Sequence, residues 1–248
     1  GRDNLNPLQR LISHSGEIFA PLIPAIVVGG LILGFRNIIG DINMMEGGTK
    51  TLVEVSQFWA GVHHFLWLIG EAIFHFLPVG ITWSISKKRG TTEILGIVLG
   101  LTLVSPQLLN AYGVAGGAEI PFWDFGFARV NMIGYQAQVI PAMLAGYVLT
   151  SLEIRLRKVV PEYISMIVVP FLSLVPTVLI AHIILGPIGW KIGAAISNGV
   201  YAGLTSAFKW LFAAIFGFLY APFVITGLHH MTNAIDLELI CIIKPKQI

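Results

Sequence analysis

Charge is what this sequence has least of. Only 11% of its 248 residues are Asp, Glu, Lys or Arg, while 55% are hydrophobic and the mean hydropathy is +0.80. A soluble domain carries about 25% charged residues, so this chain lacks the polar side chains needed to cover a globule. The composition excludes an ordinary water-soluble enzyme and predicts an integral membrane protein.

Cysteine and concentrated positive charge are scarce as well. The single cysteine, Cys241, cannot form a disulfide within the chain and excludes a metal site built from several cysteines. The formal net charge is +2, and no basic run with interleaved aromatic residues is present, so we expect no nucleic-acid partner. The first apolar run is too long for the core of a signal peptide. We interpret residues 1–17 as a cytoplasmic linker.

Long apolar runs are what the sequence has in abundance. A helix needs about 20 apolar residues to cross about 30 Å of hydrocarbon, and six runs come close to that length. They predict an all-α, polytopic transmembrane helical bundle rather than a β-barrel, whose strands would alternate in hydropathy. The predicted spans are about Ile18–Ile39, Phe58–Ile85, Ile94–Tyr112, Met132–Leu152, Ile164–Ile188 and Leu204–Leu228.

The basic residues of the loops predict the orientation. With the N-terminus in the cytoplasm, ten of the fifteen Lys and Arg residues fall on the cytoplasmic side, in clusters such as 87–89 and 155–158. Three fall on the opposite side, and Arg36 and Lys209 fall within spans. Cytoplasmic loops carry an excess of Lys and Arg, so six crossings with both ends in the cytoplasm is the consistent arrangement.

Proline and glycine are unusually placed. Proline removes a backbone donor and disturbs the preceding turn, and broken helices in membranes are typical of transporters; the alternative is that membrane helices simply tolerate proline. The pairs Gly30/Gly34 and Gly96/Gly100 predict close helix packing. The prolines within or beside spans are Pro21, Pro24, Pro78, Pro106, Pro141, Pro170, Pro176 and Pro222.

Several polar side chains fall inside predicted spans, where burial in lipid is costly and usually means that they face the bundle interior. His64, Glu71 and His75 are spaced to lie within about 40° on one helix face. This stripe is either a hydrogen-bonding wall of a sugar or ion pathway or a structural network between helices. Gln136 and Gln138 could bind sugar hydroxyls, since amides both donate and accept, or could be structural.

The last apolar run closes on a polar cluster. In a helix, Thr226, His229, Asn233 and Asp236 would lie within about 80° on one face, beside His230. Ligand binding, a polar helix end at the membrane boundary, and a metal site are the alternatives. Adjacent histidines point about 100° apart and no third soft ligand is near, which disfavours a metal.

Several long motifs resemble one family. "GFLYAPFVITGLHHMTNAIDLELI" (217–240), "GYQAQVIPAMLAG" (134–146), "GIVLGLTLVSPQLLNAY" (96–112) and "FLPVGITWSISKKRG" (76–90) are similar to the membrane IIC component of phosphotransferase-system sugar permeases. Within its glucose superfamily, the chain resembles the sucrose, beta-glucoside and trehalose branch. "FWAGVHHFLWLIGEAIFHFLPVGITWS" (58–84) and "HIILGPIGWKIG" (182–193) look most like the trehalose-specific members.

The resemblance implies group translocation in a bacterial inner membrane. Such permeases bind a sugar from outside, and a phosphocysteine on the IIB domain phosphorylates it in the cytoplasm; phosphate arrives through IIA and HPr, and no cofactor is needed. The expected product is trehalose 6-phosphate. By resemblance, His229 is a sugar-site position and His230, Thr226 and Asn233 are its neighbours, while Glu71, His64 and Gln136 remain candidates from the span analysis. The resemblance also implies a homodimer.

Two departures from the family pattern matter. The arginine that glucose and maltose relatives place before Gly-Leu-His-His is absent from "LYAPFVITG" (219–227). The chain also ends in "CIIKPKQI", without the family's downstream Gly-x-Thr-Glu-Pro motif. We therefore interpret residues 18–240 as an incomplete IIC domain and 241–248 as an aberrant tail, and expect the fragment alone to lack phosphotransferase activity. A sucrose or beta-glucoside permease, an ion-coupled sugar carrier and a non-catalytic membrane scaffold are the alternatives.

Overall fold

The computed structural model describes residues 6–205, which form a bundle of helices with two small β-hairpins. The helices are α1 Pro7–Phe19, α2 Ile23–Asp41, α3 Leu52–Val55, α4 Gln57–Phe74, α5 Leu77–Lys88, α6 Glu93–Leu103, α7 Ala111–Ala115, α8 Val139–Val159, α9 Glu162–Ile180 and α10 Gly186–Thr205. The strands are β1 Asn43–Met45, β2 Lys50–Thr51, β3 Phe122–Asp124 and β4 Arg129–Asn131.

Membrane-spanning length is reached by four helical segments of the described chain: Pro7–Asp41, Gln57–Lys88, Val139–Val159 and Glu162–Gly203. They correspond to the first, second, fourth and fifth predicted spans, and the predicted class of polytopic helical membrane protein is confirmed. The predicted span Leu204–Leu228 falls almost wholly outside the described residues. The total number of crossings and the orientation stay predictions.

The third predicted span, Ile94–Tyr112, is wrong as one continuous helix. Helix α6 has 11 residues and rises about 17 Å, roughly half of the hydrocarbon thickness. Ser105 precedes Pro106, and a residue before proline is driven away from the helical conformation. The chain turns here, and the backbone N–H of Tyr135 donates to the carbonyl oxygen of Leu103 at 2.8 Å.

Proline interrupts some of the long segments and not others. Pro21 lies in a 3₁₀ turn, Ala20–Leu22, that joins α1 to α2, and Pro78 lies in the first turn of α5, after the break at His75 and Phe76. These positions tolerate a residue without an N–H group. By contrast, Pro170 and Pro176 lie inside α9, which runs on through a π-helical turn, Ala181–Leu185, into α10.

The core is centred on α5, which packs against α1, α6 and α8. The described residues that are fully buried here include Ile18, Ile81, Leu99 and Leu149. Burying each of these aliphatic side chains away from water contributes about 1.5–3 kcal/mol where water is the alternative. The short helix α6 is stabilised by packing against three neighbouring helices, α5, α8 and α9.

The glycine pairs behave differently from each other. A Cβ atom at Gly100 would lie 2.5 Å from Thr82 Oγ1 and from Val79 Cα, and one at Gly96 would overlap Ser86 and the carbonyl oxygen of Thr82. The predicted close packing at this pair is confirmed, since α6 meets α5 backbone to backbone. Around Gly30 and Gly34, no atom of the described chain would lie within 4 Å of a Cβ, so close packing at this pair stays a prediction.

Two hairpins that the sequence analysis missed close the ends of helical segments. Strands β1 and β2 pair antiparallel with a register shift between Asn43 and Met45. The connecting turn places Glu46, Gly47 and Gly48 at positive φ. Strands β3 and β4 pair in register from Phe122 opposite Asn131 to Asp124 opposite Arg129. The strands of both hairpins are two or three residues long, which is too short for the alternation of polar and apolar residues in a strand to be recognised.

The basic clusters 87–89 and 155–158 lie at the same end of the bundle, called here the cationic end. Arg89 Nη1 donates to Thr150 Oγ1 and Ser151 Oγ, each at 2.8 Å, and Arg157 Nη1 donates to the carbonyl oxygen of Gly90 at 3.3 Å. The loop between α5 and α6 is thereby fixed to the last turns of α8. The predicted orientation requires both basic clusters to lie on the same side of the membrane, and their position at one end of the bundle agrees with this.

Candidate functional site

Several helices break at one level of the bundle, called here the crossing level. Helix α4 ends at Phe74, just before His75, α6 ends at Leu103, and α8 begins just after Gln138. Residues 134–138 cross between these ends. The N–H of Ala137 donates to the carbonyl oxygen of His75 at 3.3 Å. Carbonyl groups at the helix ends, which have no partner within their own helix, are thus bonded by the crossing segment.

Gln136 completes this crossing with its side chain. Its Oε1 accepts from the N–H of Ala111 at 2.9 Å, and its Nε2 donates to the carbonyl oxygen of Val104 at 3.5 Å. The side chain is buried, and both ends of the amide bond to backbone. Through these bonds Gln136 braces the turn between α6 and α7, and its role as a sugar ligand stays a prediction.

An aromatic group surrounds His75 where α4 ends. Its ring stacks on Tyr112 at a centroid distance of 4.9 Å and meets Trp67 edge to face at 5.3 Å. Glu71 Oε1 lies 3.9 Å from His75 Nδ1. The structure thus brings together two of the three residues of the predicted stripe, Glu71 and His75, and adds aromatic partners from α4 itself, Trp67, and from α7, Tyr112.

His64 lies on the same face of α4 but two turns away from Glu71. It is exposed, on a surface that also presents Phe65 and Leu68. Its neighbour His63 packs inward instead: Arg36 Nε donates to the carbonyl oxygen of His63 at 2.9 Å, and the Arg36 guanidinium lies 4.9 Å from the ring centre of Trp67. Helical periodicity located the stripe correctly, but exposure separates His64 from its other members.

One pocket lies beside the crossing segment. Its volume is about 180 Å³, and its larger lining side chains are Tyr112, Gln136, Gln138, Trp190 and Ser197. Ring faces for the apolar side of a sugar and amides and hydroxyls for its edges are the groups that carbohydrate recognition requires. The volume is below the roughly 300–1,000 Å³ of a full ligand site, so this pocket accommodates one part of a ligand.

A second pocket lies on the other side of Tyr135. Its volume is about 540 Å³. Its lining is mostly apolar, with polar groups from Thr102, Gln107 and His182 and the indole of Trp123. The ring centre of Tyr135 lies 6.0 Å from that of His182, which lines this pocket, and 6.3 Å from that of Trp190, which lines the first pocket.

Burial sets the protonation state of the phenols between the spans. It raises the pKa of Tyr135 to about 12 and also raises the pKa of Tyr112, because the charged phenolate loses water. Both hydroxyls therefore stay protonated at neutral pH and can act as hydrogen-bond donors. Among residues 6–205, no three His, Cys, Asp or Glu side chains are grouped so that they could hold a metal ion.

The remaining predicted site residues lie outside the described part of the chain. These are Thr226, His229, His230 and Asn233. Conversely, Tyr112, Trp190, Trp123 and His182 line the pockets and were not singled out from the sequence. In the sequence these residues stand out only as aromatic side chains close to Gly and Pro, and such residues are common in any membrane helix.

The fold and the pockets define a polytopic helical membrane protein with uncharged polar groups where its helices break. Residues 16–246 match the family model described as "Phosphotransferase system, EIIC". The chain therefore belongs to this family of integral membrane permeases, as the motifs indicated. No solved structure matches it significantly.

Curated relatives are similar along nearly all of the chain. It is 53% identical over 240 residues to the PTS system trehalose-specific EIIBC component of Escherichia coli (strain K12), covering 96% of this chain and 50% of that protein. The trehalose-specific component of Bacillus subtilis (strain 168) is 41% identical over 243 residues, covering 96% and 51%. A sucrose-specific EIIBC component of Staphylococcus xylosus is 36% identical over 251 residues, covering 97% and 50%. The chain thus spans about half the length of these relatives.

Proposed function

We propose that this chain is the sugar-translocating membrane part of a phosphoenolpyruvate-dependent phosphotransferase system in a bacterial inner membrane, and that its sugar is trehalose. The observation that carries the proposal is the EIIC match over residues 16–246, together with 53% identity to a trehalose-specific component. The lower identity to the sucrose-specific relative, 36%, favours trehalose over sucrose.

The proposed reaction transfers a phosphoryl group from a cysteine of a IIB domain to the sugar. A sugar hydroxyl oxygen attacks phosphorus, the new O–P bond forms as the S–P bond breaks, and the cysteine leaves as a thiolate while the hydroxyl proton passes to a base. That the matched relatives are EIIBC components supports a IIB partner. Supply of phosphate through HPr and IIA, and a homodimeric assembly, belong to the same proposal.

In this proposal the chain binds and orients the sugar and leaves the phosphate chemistry to IIB. His229 donates or accepts a hydrogen bond at a sugar hydroxyl, with Thr226, His230 and Asn233 beside it. Holding the hydroxyl in line with the phosphocysteine lowers the entropic part of the activation barrier, because the sugar is already oriented when it is bound. The product carries a dianionic phosphate near neutral pH, which keeps it from recrossing the lipid.

The chemistry of the crossing level favours an uncharged substrate. The lining groups of the 180 Å³ pocket are amide, phenol, indole and hydroxyl, all neutral at physiological pH. A charged ligand in such surroundings would lose hydration without gaining an opposite charge. An ion-coupled carrier is the second candidate, because Glu71 lies 3.9 Å from His75. The Glu71 side chain is 43% exposed, however, so residues 6–205 do not enclose the pair.

A chimera tests the proposal. The matched 240 residues of the Escherichia coli trehalose-specific component are replaced by those of this chain, and labelled trehalose is supplied to membrane vesicles that lack any other trehalose permease. We expect formation of trehalose 6-phosphate that depends on phosphoenolpyruvate and withstands an uncoupler. Uncoupler-sensitive accumulation of unmodified trehalose would instead identify an ion-coupled carrier.

His229 is tested in the same chimera. His229→Ala should abolish phosphorylation while the amount of chimera in the membrane stays unchanged, because the sugar loses the group that orients it. His229→Gln keeps a donor and an acceptor and should retain part of the activity. Wild-type rates in His229→Ala would remove this residue from the sugar site, and faster turnover of sucrose than of trehalose would change the assigned sugar.

A further inference from the structure

A pocket at the cationic end is unrelated to the sugar pathway. It has a volume of about 340 Å³ and lies between α1, α5 and the C-terminal half of α8. Buried Ile18 and Ile85 line its apolar part. The polar lining side chains are His14, Lys88, Arg89, Tyr147 and Ser151. Three helices thus bring two cations and a histidine to one cavity above an aliphatic floor.

Positive charge at this pocket exceeds negative charge. Lys88 Nζ lies 2.8 Å from Glu17 Oε2, so these two charges form a pair. The guanidinium of Arg89 lies 5.7 Å from the ring centre of Tyr147. Its hydrogen-bond partners within residues 6–205 are the hydroxyls of Thr150 and Ser151 and the carbonyl oxygen of Tyr147. All of these are neutral, so the charge of Arg89 is not compensated by its own bonds.

Donors also remain for an incoming acceptor. All three bonds of Arg89 start from Nη1, which leaves the hydrogens on Nε and Nη2. Lys88 Nζ lies 2.5 Å from His14 Nδ1. This contact uses Nδ1 of His14, and the other ring nitrogen, Nε2, is a further polar group of the pocket. An arginine guanidinium beside an imidazole is a geometry that suits phosphate oxygens.

We propose that this pocket binds the phosphate of an acidic phospholipid, with Arg89 and His14 as the ligands of the phosphate. Basic pockets between transmembrane helices are known to hold acidic lipid headgroups. The aliphatic floor formed by Ile18 and Ile85 accepts the glycerol and upper acyl carbons. Ile18 and Ile85 are buried, while the side chains of His14 and Arg89 are exposed.

The surroundings favour a lipid over a free anion or an acidic protein. Helix α1, which supplies His14, presents Leu8, Leu11 and Ile12 to the outside with exposed fractions of 66%, 62% and 53%, while Arg10 and Glu17 provide polar positions on the same helix. A helix of this kind lies at the boundary between headgroups and acyl chains. The phosphate site therefore adjoins a surface that fits acyl chains, which neither free phosphate nor a protein supplies.

Lipid retention measured by native mass spectrometry tests the proposal on the full 248-residue chain in detergent. The chain is titrated with phosphatidylglycerol and, in parallel, with phosphatidylcholine. We expect Arg89→Gln to weaken phosphatidylglycerol binding by about fivefold or more, the contribution of one cation at a membrane surface, and phosphatidylcholine binding to stay unchanged. Arg129→Gln is the matched control, because Arg129 is an exposed arginine on the β3–β4 hairpin beside Asp124.

Each of the other outcomes either supports or overturns the proposed lipid site. If Arg89→Gln fails to give a monodisperse helical protein, His14→Leu removes the other ligand without touching the bonds of Arg89, and a similar loss of selectivity supports the site. Equal phosphatidylglycerol binding in Arg89→Gln, Arg129→Gln and unmodified protein overturns it. Displacement of phosphatidylglycerol by millimolar inorganic phosphate would show a free-anion site and would also overturn the lipid assignment.

Discussion

The cationic end and the crossing level satisfy their buried polar groups in opposite ways. At the cationic end, the carboxylate of Glu153 is 1% exposed and accepts from Thr92 N at 3.0 Å, from Thr92 Oγ1 and from Arg157 Nη2 at 3.0 Å. At the crossing level, by contrast, Gln136 Nε2 and the N–H groups of Tyr135 and Ala137 donate to carbonyl oxygens at helix ends. One region uses ions and the other uses neutral amides.

This difference follows from what each region borders. Ions at the ends of a bundle can pair beside water and headgroups, where the loss of hydration is partial. Among the helices, an unpaired ion would cost several kcal/mol, while an amide that bonds to a backbone carbonyl costs little. Neutral bonding also leaves the adjoining pocket without a fixed charge. In the proposed function, this neutral pocket receives part of an uncharged sugar.

The largest expected effect comes from removing the ion at the centre of the cationic end. Glu153→Ala leaves the N–H of Thr92 and the guanidinium of Arg157 without their carboxylate. The Arg157 side chain is 45% exposed and is hydrated after the change, but two donors of Thr92 lose their charged acceptor, and each hydrogen bond to a charged group contributes about 1.5–3 kcal/mol. We expect this loss in the free energy of unfolding, measured by circular dichroism in detergent with increasing SDS.

Glu46→Gln is the matched control for that change. Glu46 pairs with Lys50 at 3.0 Å on the β1–β2 turn, with side chains 56% and 50% exposed, and exposed pairs contribute about 0–1 kcal/mol. If both substitutions lower the free energy of unfolding equally, the cationic end is not held by its ions, and the contrast between the two regions fails.

The sequence predicted the helical membrane class because long apolar runs follow directly from the thickness of the bilayer. It did not predict the end of α6, since "GIVLGLTLVSPQLLNAY" stays apolar through the turn at Ser105 and Pro106. Hydropathy reports the environment of the residues and not the direction of the chain. The turn is stabilised by bonds from Tyr135 and Gln136, which are about thirty residues away, so no local pattern contains it.

A second comparison concerns the helix contact between the two regions. Gly100→Ala forces a Cβ to within 2.5 Å of Val79 Cα, and overpacking of this kind costs about 1–3 kcal/mol. Gly30→Ala, where no described atom would lie within 4 Å, should instead stabilise α2 by about 0.5–1 kcal/mol through helix propensity. Thermal unfolding of both variants gives the comparison. Equal and favourable effects would contradict backbone contact between α5 and α6.

The candidate site was predictable only where periodicity carries information. The spacing of Glu71 and His75 placed them on one face of α4, and the structure brings them within 3.9 Å. Exposure separated His64 from them, and periodicity could not reveal this because it does not say which neighbours cover a helix. The pocket residues Tyr112 and Trp190 come from segments far apart in the chain. Only tertiary packing joins them.

A last substitution tests whether Gln136 is a brace or a ligand. Gln136→Leu leaves the buried N–H of Ala111 without its acceptor, which costs about 1–3 kcal/mol. Gln138→Leu is the control, since Gln138 lines the same pocket but its side chain makes no capping bond at the start of α8. We expect only Gln136→Leu to lower the unfolding temperature. If instead Gln136→Leu unfolds normally but loses trehalose phosphorylation in the chimera, the neutral bonds at the crossing level serve the sugar directly.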